Sequence, residues 1–574
     1  MTQVGEVLGG GTFLLRALDP NELFTREDLS DEQRLFGQTA AEFMRNEVLP
    51  HESRLYAHDW AFIRELLKKA ADLDLLRLEI PAAYGGLGLD KTSAAYVGEH
   101  LAVNPSFGGS LGAHTSIGTL PIVYFGTHDQ KARYLPRLAS GELVGAFALT
   151  EPHSGSDALS AKTTARLSPD ARHYMLNGQK AWITNGGFAD VFTMFAKVDA
   201  EHFTAFIVER GMGVVSGADE KKLGLDGSST TVLMLDNVHV PIGNVLGTIG
   251  EGHKVAFSIL NLGRVKLGTR NIAGAKQALN QSIAYAKERR QFGRPICEFG
   301  LVKQKLAEMS ARCFVGDAMC YRALGDVDRA LEGVDPADGA RVLKTIETFA
   351  VECSINKVWT SEALAYVVDE AVQVFGGNGY SREFPVERAY RDARITRIYE
   401  GTNEINRLII PTRLFKSGAL FGAQVAAGRA GSAFTAEYEL LGHAKRLGIA
   451  ALAAAADAYG DSVREEQEVL AHAANVIIES YAIESTLARA EKLASACSER
   501  AGVAADIARV YTSDAADRTA HASKQIVNAL GDHTGRSAAV VAGLERIVAH
   551  RGVDTVAARR RIGDAVIAAG RYVF

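Results

Sequence analysis

The sequence is short of several things, and each shortage closes off a class of protein. There are five cysteines in 574 residues, at positions 297, 313, 320, 353 and 497. None forms a CxxC pair and the total is odd, so neither a disulfide framework nor a cysteine-rich zinc site organises the chain. The thiols read as buried or idle groups in a reducing compartment. There is no HExxH, and no metal site is expected. Proline is scarce, 13 against 56 glycines, a balance that fits helices joined by tight turns and places where backbone must approach a ligand closely. No run of about 18 uninterrupted apolar residues occurs, so no membrane span is expected. A surplus of positive charge is also missing: 63 Lys and Arg face 68 Asp and Glu, for a net charge of −5. That argues against a broad nucleic-acid surface. The first residues lack a basic n-region and are acidic where a transit peptide would be arginine-rich, so the expected location is cytoplasmic. Finally, the nucleotide motifs are absent. There is no GxxxxGK[ST], and neither GEVLGGGTF near the start nor FGGNGY at 375–380 is a GxGxxG inside a strand–helix–strand unit.

What is present is apolar residue, 47% of the chain, enough to bury several cores, and a length of roughly four domains at about 150 residues each. Residues 1–28 read as a loose lead-in. Residues 29–145 are helical in pattern and open on a capping box, Ser30 with Gln33, followed by Leu35, Phe36, Ala40, Phe43 and Met44 at helical spacing. Residues 146–250 are short alternating runs rich in Val, Thr and Phe between Gly, Asn, Asp and Pro, which predicts an antiparallel β domain. Helical periodicity returns over 251–415. Residues 416–574 form an alanine-rich helical extension without strand signals, including an amphipathic stretch at 464–496. The class is α+β.

Four segments carry chemistry. FALTEPHSGSDA (147–158) ends an apolar strand in a loop of hydroxyls and bare backbone that suits a phosphate or a polar ring edge, or is a plain turn. NGQKAWITNGGFAD (177–190) places Trp182 and Thr184 at alternate strand positions, an indole beside a hydroxyl, which suits a flat heterocycle or fills a core. ERRQFGRP (288–295) puts two arginines before an aromatic at a helix end, to complement the helix terminus or reach a pyrophosphate. In RIYEGTNEINR (397–407) Glu400 follows Ile398 and Tyr399, where partial desolvation would make a carboxylate a usable base.

Taken with QVFGGNGY (373–380), these segments resemble the acyl-CoA dehydrogenase family in identity, order and spacing over about residues 30–415. The resemblance implies a helical, a β and a second helical domain, with FAD as cofactor. It also implies conversion of fatty acyl-CoA to the trans-2-enoyl-CoA, with electrons passing to an electron-transferring flavoprotein in fatty acid β-oxidation. GTHDQKARYLPRLASGELVGAFALTEPHSGSDA and EFGLVKQKLAEM resemble the very-long-chain branch, whose members carry an added C-terminal helical domain and form homodimers.

By the same resemblance Glu400 is the catalytic base. Some members carry that carboxylate just before an arginine in the segment matching LNLGRVKLG, where this chain has Gly263 before Arg264. The resemblance assigns FAD contacts to Phe147, Leu149, Thr150, Gly155, Ser156, Trp182, Ile183 and Thr184. It adds Arg289, Gln291 and Phe292 reaching across a dimer interface, Gln373, Gly376 and Gly377 as a phosphate cradle, and Thr402 and Glu404 as closing contacts. Substrate contacts fall to Ser156, Asn261, Arg264 and Gly401. The thioester oxygen is held in this family by the backbone N–H of the catalytic Glu and a ribityl hydroxyl of FAD. Gly112 and Gly118 either open a tunnel floor for a long acyl tail or pack helices. The extension, with its run Arg559-Arg560-Arg561, either packs on its own core or makes peripheral membrane contact. Two other readings share the resemblance: an acyl-CoA oxidase that uses oxygen, and a non-catalytic assembly factor that keeps the fold.

Overall fold

A computed structural model describes residues 9–336, 338–418, 424–426, 429, 431–531 and 537–574. Residues 5–8 of the N-terminal glycine cluster lie outside them. The chain divides into two compact units, one of residues 30–266 and 331–347, the other of residues 1–29, 267–330 and 348–574.

The first unit opens with the helix Asp31–Phe43. Its start is the capping box expected from sequence: Gln33 N–H donates to Ser30 Oγ at 3.1 Å and Ser30 N–H to Gln33 Oε1 at 2.9 Å. Further helices lead to eight strands: β1 (Gly145–Ala148), β2 (Thr164–Leu167), β3 (His173–Thr184), β4 (Val191–Val198), β5 (His202–Glu209), β6 (Val215–Asp219), β7 (Thr230–Pro241) and β8 (Val245–Leu246). They pair in the order β6-β7-β3-β2-β4-β5-β8, with β1 also on β4. The sheet is mixed, a correction to the antiparallel expectation: β1 and β2 both run parallel to β4. Side-chain alternation has the same period in either pairing, so the sequence pattern reports strands and not their direction. Strand β4, covered by partners, is buried along nearly its whole length, as a central strand should be.

The turn Ala113–Gly118 lies against β1. A Cβ on Gly118 would sit 2.8 Å from the Gly145 carbonyl carbon and 3.0 Å from Ala146 N. Of its two readings, this assigns Gly118 to close packing. Beside it, buried His114 accepts from Gly145 N–H at 2.9 Å through Nδ1 and lies 3.1 Å from the Leu138 carbonyl through Nε2. Burial lowers its pKa to about 4, so the ring is a neutral structural link at physiological pH.

The second unit is helical. Helices Gly300–Leu331, Ala350–Phe375, Asn403–Ser417, Thr435–Tyr459, Gln467–Ser495, Ala501–Leu530, Ala538–Val548 and Thr555–Ala569 belong to it. One continuous apolar core joins Val351 and Leu414 to Leu447, Ile477, Ile526 and Ile562, so the C-terminal extension shares a core with the preceding helices.

Two expectations are corrected here. The helix Gln467–Ser495, amphipathic by its sequence, has no exposed polar face over its middle: every residue from Val476 to Ala490 is buried. Its polar residues are internal partners. Glu484 accepts from Arg322 Nη2 at 2.8 Å, from Leu18 N–H at 3.3 Å and from Lys445 Nζ. Arg489 donates to Glu27 Oε1 at 2.6 Å and to the Phe314 carbonyl at 3.0 Å. The basic run is also engaged, Arg559 with Glu308 and Asp514 and Arg561 with Asp506.

The described part of the lead-in, residues 9–28, is in turn not loose. Phe13 and Leu14 enter the main core, and Leu18 and Leu23 pack on Ala488. Lys445 donates to the Arg16 carbonyl at 2.7 Å and Lys492 to the Leu23 carbonyl at 2.8 Å. Residues 11–28 are a strap across the extension, held by partners hundreds of positions away that no local pattern reveals. No described helix is long and apolar enough to cross a membrane.

At the start of the strap Gly11 N–H donates to Glu352 Oε1 at 2.8 Å. Burial raises the Glu352 pKa from its ordinary 4.5 to about 7, against the Gly11 hydrogen bond and with Asp326 adding repulsion. A pKa raised on folding means stability that is fully present below pH 4.5 and lost as pH rises through about 7. Glu352→Gln, which mimics the protonated acid, should match the wild type near pH 4.5. It should be the more stable protein at pH 8, by up to about 3 kcal/mol. Thermal melts of both proteins across that range check it; parallel curves would contradict it.

Candidate active site

The first two motif segments form one structure in the β-containing unit. Ala181 N–H donates to the Thr150 carbonyl at 2.9 Å, tying the loop after β1 to β3. Beneath them Lys180, fully buried in the strand, donates to Glu151 Oε1 at 2.7 Å and to the Leu149 carbonyl at 3.2 Å. Glu151 also accepts Lys162 N–H at 2.6 Å and Thr163 N–H at 3.1 Å. Burial works against charge on both partners. On Glu151 the ammonium and the N–H donors prevail and hold the carboxyl below its usual range, while Lys180 is lowered as well. Neither residue stood out in the sequence. The signal was there: a lysine inside an apolar strand run, beside the acid that opens EPHSGSD, needs a buried partner.

Strict alternation would put Lys180, Trp182 and Thr184 on one face. Instead the register on β7 shifts between Lys180 and Ile183, and Trp182 takes a left-handed φ of 61°. This bulge sends Lys180 inward and leaves the Trp182 indole 60% exposed, with Thr184 half-buried. Ile183 turns the other way into the apolar core, so its side chain belongs to packing. Leu149 is likewise buried, Phe147 and Thr150 are half-buried, and Gly155 and Ser156 are exposed. Among the described residues, nothing lies within 4 Å of where a Gly155 Cβ would stand. In the helix Gly252–Glu288 of the sequence, Arg264 Nη1 donates to Asn261 Oδ1 at 2.7 Å, and both are buried.

The helical unit brings two more motifs together. Tyr285 stacks on Phe375 with ring centroids 4.0 Å apart, its hydroxyl donates to the Phe375 carbonyl at 3.2 Å, and Asn378 Nδ2 donates to that hydroxyl at 3.0 Å. This joins the end of the helix that leads into the hairpin of β9 (Arg290–Gln291) and β10 (Arg294–Pro295) to the glycine turn after Phe375. Arg289 and Gln291 are exposed, and at the tip Phe292 has a left-handed φ of 50° and is 94% exposed. Gln373 is exposed on the last turn of its helix; Gly376, at φ 61°, and Gly377 are exposed with open space where a side chain would begin.

Glu400 occupies a turn of its own. It adopts a left-handed φ of 57°, followed by Gly401 at 80°. A non-glycine residue there is strained by about 1–3 kcal/mol and persists only when its surroundings impose it. Its Oε2 is shielded from solvent, and its carboxylate, after burial, raises the neighbouring Tyr399 phenol above the usual tyrosine range. Thr402 then caps the helix Asn403–Ser417, its hydroxyl accepting Ile405 N–H at 3.2 Å, and Glu404 is exposed on the first turn, its carboxyl lowered by backbone and Thr402 hydrogen bonds. Under the turn, fully buried Lys357 donates to Asn403 Oδ1 at 2.7 Å. No group of His, Cys, Asp and Glu among the described residues is arranged to hold a metal.

Each unit carries parts suited to acid–base chemistry on a flat ligand: the helical unit a shielded acid oxygen on a strained turn and bare glycine turns, the β-containing unit an exposed indole. Comparison with known proteins gives the family. Family descriptions of the acyl-CoA dehydrogenase N-terminal domain, middle domain and C-terminal domain match residues 30–142, 146–238 and 250–415, and a further acyl-CoA dehydrogenase C-terminal domain matches residues 443–540. A "Probable acyl-CoA dehydrogenase" of Bacillus subtilis is 43% identical over 547 residues, 92% of each chain. The "Very long-chain specific acyl-CoA dehydrogenase, mitochondrial" of Homo sapiens is 42% identical over 59% of this chain and 51% of its own length. A crystal structure of an acyl-CoA dehydrogenase complexed with FAD from Bacillus anthracis superposes with a TM-score of 0.96 at 39% identity, over 99% of this chain and all of that one. The chain belongs to the acyl-CoA dehydrogenase family and is an oxidoreductase of that type.

Proposed function

We propose that the protein oxidises the Cα–Cβ bond of a long-chain acyl-CoA to the trans-2-enoyl-CoA, with FAD as cofactor and an electron-transferring flavoprotein as acceptor. The observation that carries this reading is Glu400, a carboxylate with one oxygen shielded from water on a strained turn inside the motif YEGTNEINR. The residues present fit the cofactor: open backbone at Gly155, Gly376 and Gly377 accommodates phosphates or a ring edge, and the exposed Trp182 offers a plane. Thr150, Thr184, Gln373 and Arg289 supply donors. Bound there, FAD would supply the acceptor for the hydride lost from the β carbon. Glu400 takes the α proton, and its own backbone N–H stabilises negative charge developing on the thioester oxygen. On the family's pattern, Asn261, Arg264 and Gly401 are assigned to the substrate.

Similarity to the very-long-chain enzyme and the added C-terminal helices support long acyl chains and a homodimer. Phe292 at an exposed hairpin tip is the shape of a residue covered by a second copy. Incubation with palmitoyl-CoA and a dye acceptor under argon should yield trans-2-hexadecenoyl-CoA. In air without acceptor, little peroxide should form; rapid stoichiometric peroxide would identify an oxidase instead.

Lys180→Met removes the cation beneath the loop. It should lower stability by about 3–5 kcal/mol, since Glu151 stays buried without its partner, and the purified protein should lose flavin. Adding Glu151→Gln should restore much of the stability. Full flavin content and an unchanged melting temperature in the single variant would contradict the anchoring role.

A further inference from the structure

We infer that Asn406 is a positioning residue for the base, setting both the carboxylate and the backbone N–H of Glu400 through the carbonyls of its turn. This rests on Glu400 acting as proposed above. Asn406 is completely buried one turn into the helix Asn403–Ser417. Its Nδ2 donates to three consecutive carbonyls, Glu400 at 3.3 Å, Gly401 at 2.7 Å and Thr402 at 3.0 Å. Its own N–H donates to the Thr402 carbonyl as well, at 2.9 Å.

The arrangement explains how a non-glycine residue is kept at a left-handed φ. Two successive left-handed residues, Glu400 and Gly401, gather carbonyl oxygens that point at one another's neighbourhood. Left alone they would repel and seek water, and the turn would open. A single amide nitrogen with two protons satisfies them together. Reversing the amide would set Oδ1 against three oxygens, so the orientation is fixed. The Oδ1 atom is buried and has no hydrogen-bond partner among the described residues. A buried acceptor left so is unfavourable, and the side chain is held in place for its donor end. The helix that carries it is itself pinned: Asn403 receives the Lys357 ammonium and donates to Ser361 Oγ and Glu362 Oε1, each at 3.0 Å. The turn is therefore referenced to a fixed buried floor through one amide.

Base and carbonyl-polarising donor belong to the same residue, so a shift of this turn moves both at once. Misplacement of reacting groups by about 1 Å is worth roughly 100-fold in rate. Asn406→Asp keeps the shape but replaces both donors with carboxylate oxygens, and Asn406→Ala removes them. In the holoenzyme each should lower kcat about 100-fold with KM changed less than about threefold. The pH dependence of kcat should shift, and the backbone amides of residues 399–403 should exchange with deuterium faster than in the wild type. Wild-type kcat in Asn406→Asp would overturn the inference. So would a loss of activity accompanied only by a lower melting temperature, with the pH profile and amide exchange of the turn unchanged. If the wild-type protein itself fails to oxidise any acyl-CoA, the proposed function falls rather than this role.

Discussion

Glu400→Gln should fold, remain yellow and turn over acyl-CoA about 10³–10⁴-fold more slowly than the wild type, the usual scale for a lost general base. The substitution is isosteric and leaves the backbone N–H in place, so substrate binding should survive. What it removes is the only carboxylate the chain offers at either of the positions where the family carries one, because Gly263 stands at the other. The buried Oε2 and the strained φ are features of the turn and not of the charge, so a glutamine can occupy it. Stopped-flow reduction of the bound flavin by substrate isolates the step. A variant that keeps more than a tenth of the wild-type rate would remove Glu400 from the chemistry.

The second large effect concerns stability. Glu484 lies at the centre of the helical unit, 1% exposed, between Arg322 and Lys445 and under the N-terminal strap. Glu484→Gln would take the carboxylate from two buried cations, Lys445 and Arg322; Arg322 keeps Asp326, whose pKa burial raises to about 6 and which lies 4.0 Å from its Nε. Breaking such a pair costs about 3–5 kcal/mol, because the partner charge stays buried. The variant should melt well below the wild type, and limited proteolysis should cut first within residues 11–28, where Leu18 N–H and the Arg16 carbonyl lose the group that organises them. A melting temperature within error of the wild type would show that the strap is held without Glu484, by its apolar contacts and its other polar ties.

Much of this was legible in the sequence, for physical reasons that also mark where legibility stops. Ser30 and Gln33 form their capping box because both halves lie within one turn. The segments around Thr150, Trp182, Gly376 and Glu400 announce themselves because their chemistry depends on short contiguous motifs. Strand direction in the sheet did not, since β1 and β2 present the same alternation whichever way β4 runs. The bulge at Trp182 did not either: a single left-handed residue inverts the inside–outside phase that alternation assumes, turning Lys180 inward. The stretch 464–496 looked one-sided because its buried residues include Glu479, Glu484 and Arg489, and charged letters read as surface until their partners are known. Asn406 was passed over inside a motif already assigned, because its value lies in three carbonyls that have no letter of their own.

The central claim is that Glu400 and a bound flavin together remove two hydrogens from a saturated acyl-CoA. Anaerobic titration of the purified yellow protein with a ladder of saturated acyl-CoA lengths tests it most directly. The flavin absorbance should bleach near stoichiometric substrate, most strongly with long chains, and should not bleach on the same timescale in Glu400→Gln. A flavin that stays oxidised with every chain length in the wild-type protein would contradict it.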